Sequence, residues 1–243
     1  IISCFEKASG SVSAEEKKKL LTFVVIGGGP TGVELAAELQ EFICGTLRSA
    51  YPHLTHTDLA TVLVHSEDQL LPAYSDHIRF KVTSELRKRA GVTLKMRAKV
   101  TRVDASGVTL STDEFVPTAT AILVAGVQPN TLSFTQPLHT TAQGRIVVNE
   151  YLQADVQNVY VVGDYAAAVS NGKPVPMTAQ AATAMAAVAA KNISAALSGK
   201  PLMPFVYHER GQLVSLGRWL AAAEVYGIPL FGQFAWWMWR TVY

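Results

Sequence analysis

The chain has 243 residues, 49% of them hydrophobic and 16% charged, with a formal net charge of +2. That apolar content can bury a core in roughly two domains and excludes a disordered chain, while the near-neutral balance gives no footing for a nucleic-acid partner. Cys4 and Cys44, with no CxxC and no zinc-ligand spacing, exclude a disulfide framework and a redox pair, and no metal cluster is expected.

Residues 1–20 read as the end of a helix followed by a polar connection. Starting at Ile1 without a signal-like segment, the chain is expected to be an interior piece of something longer. Two basic runs, Lys17 to Lys19 and Arg87 to Arg89, read as solvated helix faces. Leu21 to Ile26 is a continuous apolar, β-branched run, the pattern of a strand buried on both faces of a parallel sheet. A glycine cluster follows, then a helix over Val33–Ile43, a buried strand over Ala60–Val64 and an amphipathic helix over Ser75–Ala90 stopped by Gly91. Short alternating strands come next: Val92–Lys95, Ala98–Asp104, Val108–Ser111 and Glu114–Val116. Thr120 to Ala125 reads as another buried strand, ending at Gly126. This order predicts a doubly wound α/β, Rossmann-like domain over 21–130 with a small antiparallel insertion.

A second segment, 131–205, contains a predicted strand over Val159–Val162, then Gly163-Asp164, then an alanine-rich helix over Thr178–Leu197. That helix is apolar nearly all round and is expected to be buried. The tail, 206–243, holds all four tryptophans. Val225 to Tyr243 is almost wholly apolar, but Gly227, Pro229 and Gly232 leave about 11 uninterrupted residues, too few to span a bilayer. Clustered Trp and Tyr beside Arg240 suit either a water–lipid interface or a packed core or dimer-interface helix.

The sharpest motif is Gly27-Gly28-Gly29-Pro30-Thr31-Gly32, a G-x-G-x-x-G between a buried strand and a helix inside a βαβ unit. Gly27 permits the tight turn, Gly29 lets backbone approach a pyrophosphate, and Gly32 allows close packing of helix on strand. The free N–H groups at that helix start face the phosphate charge. At the end of the second strand, where a carboxylate normally holds the adenosine ribose, stands His65, with Glu67 and Asp68 as alternatives. Loss of the carboxylate removes its repulsion of a 2′-phosphate, so NADPH is left open beside NADH. Gly28, Thr31 and Gly126 complete the expected coenzyme set.

Gly27 to Leu39 resembles the second, NAD(P)H-binding fingerprint of the pyridine-nucleotide flavoprotein oxidoreductases, with Glu34 matching the carboxylate that faces the nicotinamide. Val159 to Asp164 is similar to their strand ending in Gly-Asp, which binds FAD. Independently, Gly163 permits a close backbone approach and the Asp164 carboxylate can accept from ribityl hydroxyls. Within the superfamily the likeness is to type II NADH dehydrogenases. It rests on Cys4 to Ala8, on Thr178-Ala179-Gln180 at the start of the helix under the flavin, and on Gly211 to Tyr243, similar to their membrane-facing tail. Where that family has a His or Lys and then a Gln near the quinone, this chain has Thr183 and Ala184. No FAD fingerprint of the first G-x-G-x-x-G kind occurs, so this stretch alone is expected to hold FAD poorly.

The resemblance implies a Rossmann-like NAD(P)H-binding domain, the C-terminal part of an FAD-binding domain, and an amphipathic helical tail. It implies hydride transfer from NADH to FAD and electron delivery to a ubiquinone-type quinone without proton pumping, by a protein peripheral on the mitochondrial inner membrane or a bacterial plasma membrane. Glu34 and Gln180 are the expected catalytic residues; Gly163, Asp164, Thr178, Ala179 and Gln180 are expected to bind the flavin. Disulfide reductases are disfavoured by the missing CxxC, and the adjacent His208 and Glu209 do not form the His-x-x-x-x-Glu of glutathione-reductase-like dimer domains. Sulfide–quinone oxidoreductases need later cysteines, which are missing. A non-enzymatic NADH-binding flavoprotein acting through partners, like the apoptosis-inducing factors, is the alternative from another class, and a homodimer is left open.

Overall fold

The computed structural model describes residues 1–10, 13–88, 92–130 and 134–242. They form two compact units, Ile1–Gly126 together with Gly211–Tyr243, and Val127–Arg210.

Two helices, α1 (Ile2–Gly10) and α2 (Ala14–Leu21), open the first unit. Ser13 caps α2, its hydroxyl accepting from the Glu16 N–H at 3.0 Å. Phe5 is fully buried, stacked on Phe23 with ring centroids 6.2 Å apart, so α1 is seated by an aromatic anchor. β1 (Thr22–Ile26) is buried on both faces as its composition predicts: Phe23 and Val25 join the main core, and Val24 points the other way, to Val62 and Val64.

α3 (Pro30–Glu41) follows the glycine loop and runs on through a π-helical stretch, Phe42–Leu47, into the short α4 (Arg48–Ala50). Then come β2 (Ala60–Val64), α5 (Asp76–Lys88), β3 (Val92–Lys95), an antiparallel meander of β4 (Val100–Asp104), β5 (Gly107–Leu110) and β6 (Phe115–Pro117), and finally β7 (Thr120–Leu123). The expected end of α5 at Gly91 lies outside the described residues. The main sheet is parallel, in the order β3-β2-β1-β7. β7 is not the doubly buried strand its sequence suggested: it is the edge of the sheet, and Leu123 is 71% exposed.

The second unit starts with β8 (Ile146–Val147), parallel to β9 (Ala166–Ala167), followed by the small hairpin β10 (Val169–Ser170) and β11 (Lys173–Pro174). The strand expected over Val159–Val162 does not form. A strand needs a ladder, and among the described residues this segment has a single bridge, Gln153 to Tyr160. α6 (Ala179–Leu197) is the alanine-rich helix, but its expected burial all round is corrected to one face. Ala181, Met185, Ala189 and Asn192 are buried at one-turn spacing, while Leu197 is 86% exposed.

The tail returns to the first unit as three antiparallel strands, β12 (Gly211–Ser215), β13 (Ala221–Val225) and β14 (Ile228–Gly232), and a helix, α7 (Gln233–Val242). The strands are not foreseen by the sequence reading. Alternation along β13 makes them a two-sided layer: Ala222 joins Val214 and Leu216 in the main core, while Ala221 and Ala223 face Ala235, Trp236 and Trp239 of α7. Methyl-sized side chains on that face let α7 lie close to the sheet. The Glu224 carboxylate accepts from the Ser75 N–H at 2.9 Å, so β13 places a negative charge at the amino end of α5.

Candidate functional site

A parallel sheet offers its ligands a crevice at the carboxyl ends of its strands, where strand order reverses. Here that point lies between β1 and β7, and it opens into a cavity of about 1010 Å³. Gly27, Gly28, Gly29, His65 and Gly126 all line it, so five of the expected coenzyme residues come together. Gly27 turns the chain with φ of +126°, a conformation costly to side-chain-bearing residues. Gly29 caps α3 and Pro30 takes the first helical position, where the missing N–H is no loss. The amides of Thr31 and Gly32 belong to the first turn and have no intrahelical acceptor, so the helix start attracts an anion.

His65 sits under this loop. Its Nδ1 accepts from the Gly28 N–H at 3.2 Å, which makes Nε2 the protonated nitrogen of the neutral ring. Nε2 is buried without a partner among the described residues, a donor in want of a ribose or phosphate oxygen. Of the two alternatives, Asp68 is drawn to Arg97 at 3.4 Å, and neither Glu67 nor Asp68 lines the cavity. Lys99 and Arg102 line it and no carboxylate does. The donors, the glycine loop and the apolar walls fit a dinucleotide.

Thr31, in the first turn of α3, and Glu34, one turn on, are not in the lining of that cleft. They line a second cavity of about 660 Å³ between α3 and the tail, with Glu38, Ser215, Arg218 and Trp239. Glu34 Oε1 accepts from the Ser215 N–H at 2.9 Å and from the Trp239 indole N–H at 3.1 Å. Burial pushes its carboxyl above the ordinary value; these two donors pull it down, and the Glu38 charge adds to the rise. Sequence reasoning missed Ser215 and Trp239, which lie far from α3 along the chain. The spacing of Glu34, Glu38 and Glu41 along one helix face was the available signal.

The residues expected to bind the flavin lie in the second unit. Gly163–Tyr165 is a single 3-10 turn, with Gly163 at φ of +69° and its N–H on the Met185 sulfur at 3.3 Å. The Arg145 guanidinium donates to the carbonyls of Asp164 and Ala166 and holds this turn. The Asp164 carboxylate is thereby left exposed and without a partner among the described residues, as a group accepting from ligand hydroxyls requires. Thr178 caps α6, its hydroxyl accepting from the Ala181 N–H at 3.2 Å, and Ala179 is exposed beside it. The Gln180 carbonyl oxygen accepts from the Tyr207 hydroxyl at 3.0 Å and the Arg210 N–H at 3.1 Å, which directs its amide nitrogen as the remaining polar group. An exposed acid on a glycine turn beside a capped helix start fits the ribityl and ring contacts of a flavin.

The fold and the glycine-loop cleft define a Rossmann-type dinucleotide-binding protein. Residues 4–186 match the family model described as pyridine nucleotide-disulphide oxidoreductase, and the chain belongs to that family. Over its whole length it is 32% identical to the type II NADH:quinone oxidoreductase Ndh of Mycobacterium tuberculosis, covering 54% of that protein. Over 96% of its length it is 32% identical to the mitochondrial internal alternative NAD(P)H-ubiquinone oxidoreductase A1 of Solanum tuberosum, covering 50% of that protein. Among solved structures, NDH2 from Plasmodium falciparum in complex with NADH matches all of the chain and 65% of its own, with a TM-score of 0.85 and 18% identity, a likeness of fold. The chain spans about half the length of the curated relatives it matches.

Proposed function

We propose that this chain acts in a type II NADH dehydrogenase, a flavin-dependent enzyme that oxidises NADH and reduces a ubiquinone-type quinone without pumping protons. The observation that carries the reading is the glycine-loop cleft, set in a chain 32% identical throughout to a relative of that name. Bound NADH and FAD would supply the redox chemistry, a hydride passing from nicotinamide to flavin and the electron pair onward to quinone.

The protein's part is position and charge. The Thr31 and Gly32 amides and the α3 dipole hold the pyrophosphate, and Gly29 leaves room for it. His65 offers Nε2–H at the ribose end, where no lining carboxylate repels a 2′-phosphate, so NADPH is a second coenzyme in this reading. In this reading the coenzyme passes Thr31 at the start of α3, so that its nicotinamide end enters the second cavity, where Glu34 orients it. Asp164 accepts from flavin hydroxyls, and Thr178, Ala179 and Gln180 present the start of α6 to the ring, where helix N–H groups favour negative charge. The full-length protein, reconstituted with FAD in liposomes, tests this. NADH is expected to bleach the flavin and a short-chain quinone to restore it. Bleaching without recovery would remove the quinone assignment and favour a flavoprotein that acts through partners.

Among the described residues no helix is long and apolar enough to cross a membrane. Tyr226 on the β13–β14 turn, Ile228 at the start of β14, and Phe234 and Trp237 on α7 are each more than half exposed, and they are the side chains that would enter a lipid interface. The reading therefore places the protein peripherally on a mitochondrial inner or bacterial plasma membrane. Replacing both Phe234 and Trp237 by Ser should weaken binding to vesicles at least tenfold, since each side chain carries about 1.5 kcal/mol or more of apolar transfer energy. Unchanged co-sedimentation with vesicles would remove this surface from the assignment.

A further inference from the structure

Glu34, Glu38 and Glu41 stand one turn apart on α3, and each accepts a hydrogen bond from the C-terminal layer. The Ser215 N–H donates to Glu34, the Ser215 hydroxyl to Glu38 at 2.8 Å, and the Arg218 N–H to Glu41. Glu34 alone receives a further donor from α7, the indole N–H of Trp239, and both donors converge on the same oxygen, Oε1. Oε2 has no partner among the described residues. A glutamate has three side-chain torsions and loses that freedom only where something holds it. Two N–H groups on one oxygen hold it from two directions and leave the other oxygen as the working one. Seating α7 does not require this bond, because Ala235 and Trp236 already pack on Ala221 and Ala223, and neighbouring Trp237 turns its ring outward.

We propose that Trp239 is a positioning residue for Glu34: its indole N–H, with the Ser215 amide, fixes the rotamer of the carboxylate and so couples the seating of α7 to the geometry of the NADH site. This rests on the reading of Glu34 as the nicotinamide-facing group. It adds a residue that the glycine fingerprint does not contain and that comes from the opposite end of the chain. The charged groups around the carboxylate are Glu38 and Glu41 on α3, Arg218 between β12 and β13, and Arg240 on α7, all lining the same cavity. A hydrogen bond to the ionised form favours ionisation, so removing the indole N–H should let the Glu34 midpoint rise.

The test uses the full-length, FAD-loaded protein and Trp239→Phe, which keeps an aromatic ring and loses the N–H. The carboxyl band of Glu34, identified by its disappearance in Glu34→Gln, is titrated by infrared difference spectroscopy. Its midpoint should rise by roughly one to two pH units in Trp239→Phe, the size of one hydrogen bond to a charged group. In stopped flow, the limiting rate of flavin reduction by NADH should fall about tenfold while the apparent NADH affinity stays within about twofold, as expected for lost orientation rather than lost binding. In the Glu34→Gln background, where the band is gone, Trp239→Phe should add nothing to the loss of reduction rate. An unmoved midpoint in Trp239→Phe, with Glu34→Gln still slowing reduction, would overturn the proposal and leave the Glu34 reading standing. Normal reduction in Glu34→Gln would overturn that reading and the proposal with it. If Trp239→Phe melts early, benzothienylalanine in place of Trp239 repeats the titration at unchanged ring volume without the N–H, with the same outcomes deciding.

Discussion

Gly32→Ala should abolish saturable NADH binding and destabilise the first unit by about 3 kcal/mol or more, whereas Gly29→Ala should weaken NADH binding with stability unchanged. A Cβ on Gly32 would stand 1.7 Å from the Gly27 carbonyl oxygen and 3.2 Å from Val124 Cγ2. The first neighbour is backbone and cannot turn aside, so α3 would have to lift from β1, at the cost of an overpacked core. A shift of that size would move the Thr31 and Gly32 amides away from the pyrophosphate position proposed for them, and misplacements near 1 Å cost about a hundredfold in rate. Around Gly29 a Cβ would meet nothing within 4 Å, and its φ of −75° is ordinary for alanine. Its methyl group would intrude only on a ligand. Urea denaturation and quenching of NADH fluorescence, measured on both variants, separate the two roles. Equal losses of stability would show that Gly29 is also a packing glycine and would remove the main argument for a pyrophosphate there.

Asn192→Ala is expected to cost the second unit about 3 kcal/mol. Asn192 is 1% exposed and makes three hydrogen bonds. Its amide nitrogen donates to the carbonyls of Tyr151 and Met203, at 3.1 and 2.9 Å, and its oxygen accepts from the Met203 N–H at 2.8 Å. Alanine forfeits all three at about 1 kcal/mol each and strands the backbone groups behind it. Asn192→Asp keeps the acceptor but faces two carbonyl oxygens with negative charge, so it should be worse at neutral pH than at acid pH, where protonation restores a donor. Thermal melts and amide exchange of the 199–205 segment check this. A loss below about 1 kcal/mol in Asn192→Ala would mean that water replaces the side chain.

The contrast between Gly32 and Asn192 marks how far the chain could be read. The fingerprint was legible because its requirements are local: a buried apolar strand, a turn with positive φ at Gly27 and a helix start at Pro30 fall within ten residues. Asn192, on a helix read as apolar nearly all round, gave no signal; its partners are 11 and 41 residues away. The π-helical stretch after α3 was likewise invisible, since no residue type marks it.

The tail shows the limit most clearly. Gly227, Pro229 and Gly232 read as interruptions of a helix, and in the fold they are the marks of a hairpin. Tyr226 and Gly227, both at positive φ, form the two-residue turn between Val225 and Ile228, a conformation usually announced by Asn-Gly rather than Tyr-Gly. Pro229 lies on β14, at an edge of its sheet, where a missing N–H is tolerated.

By itself the sequence determined the order of the parallel-sheet domain, the glycine loop and the class of ligand it takes, because strand burial, turn conformation and helix capping are decided within a few residues. Only the tertiary structure decided that Val159–Val162 has no ladder, that one face of α6 is open, and that Glu34 is bound by Ser215 and Trp239. Those features depend on which distant segments meet, and neither periodicity nor local propensity carries that information.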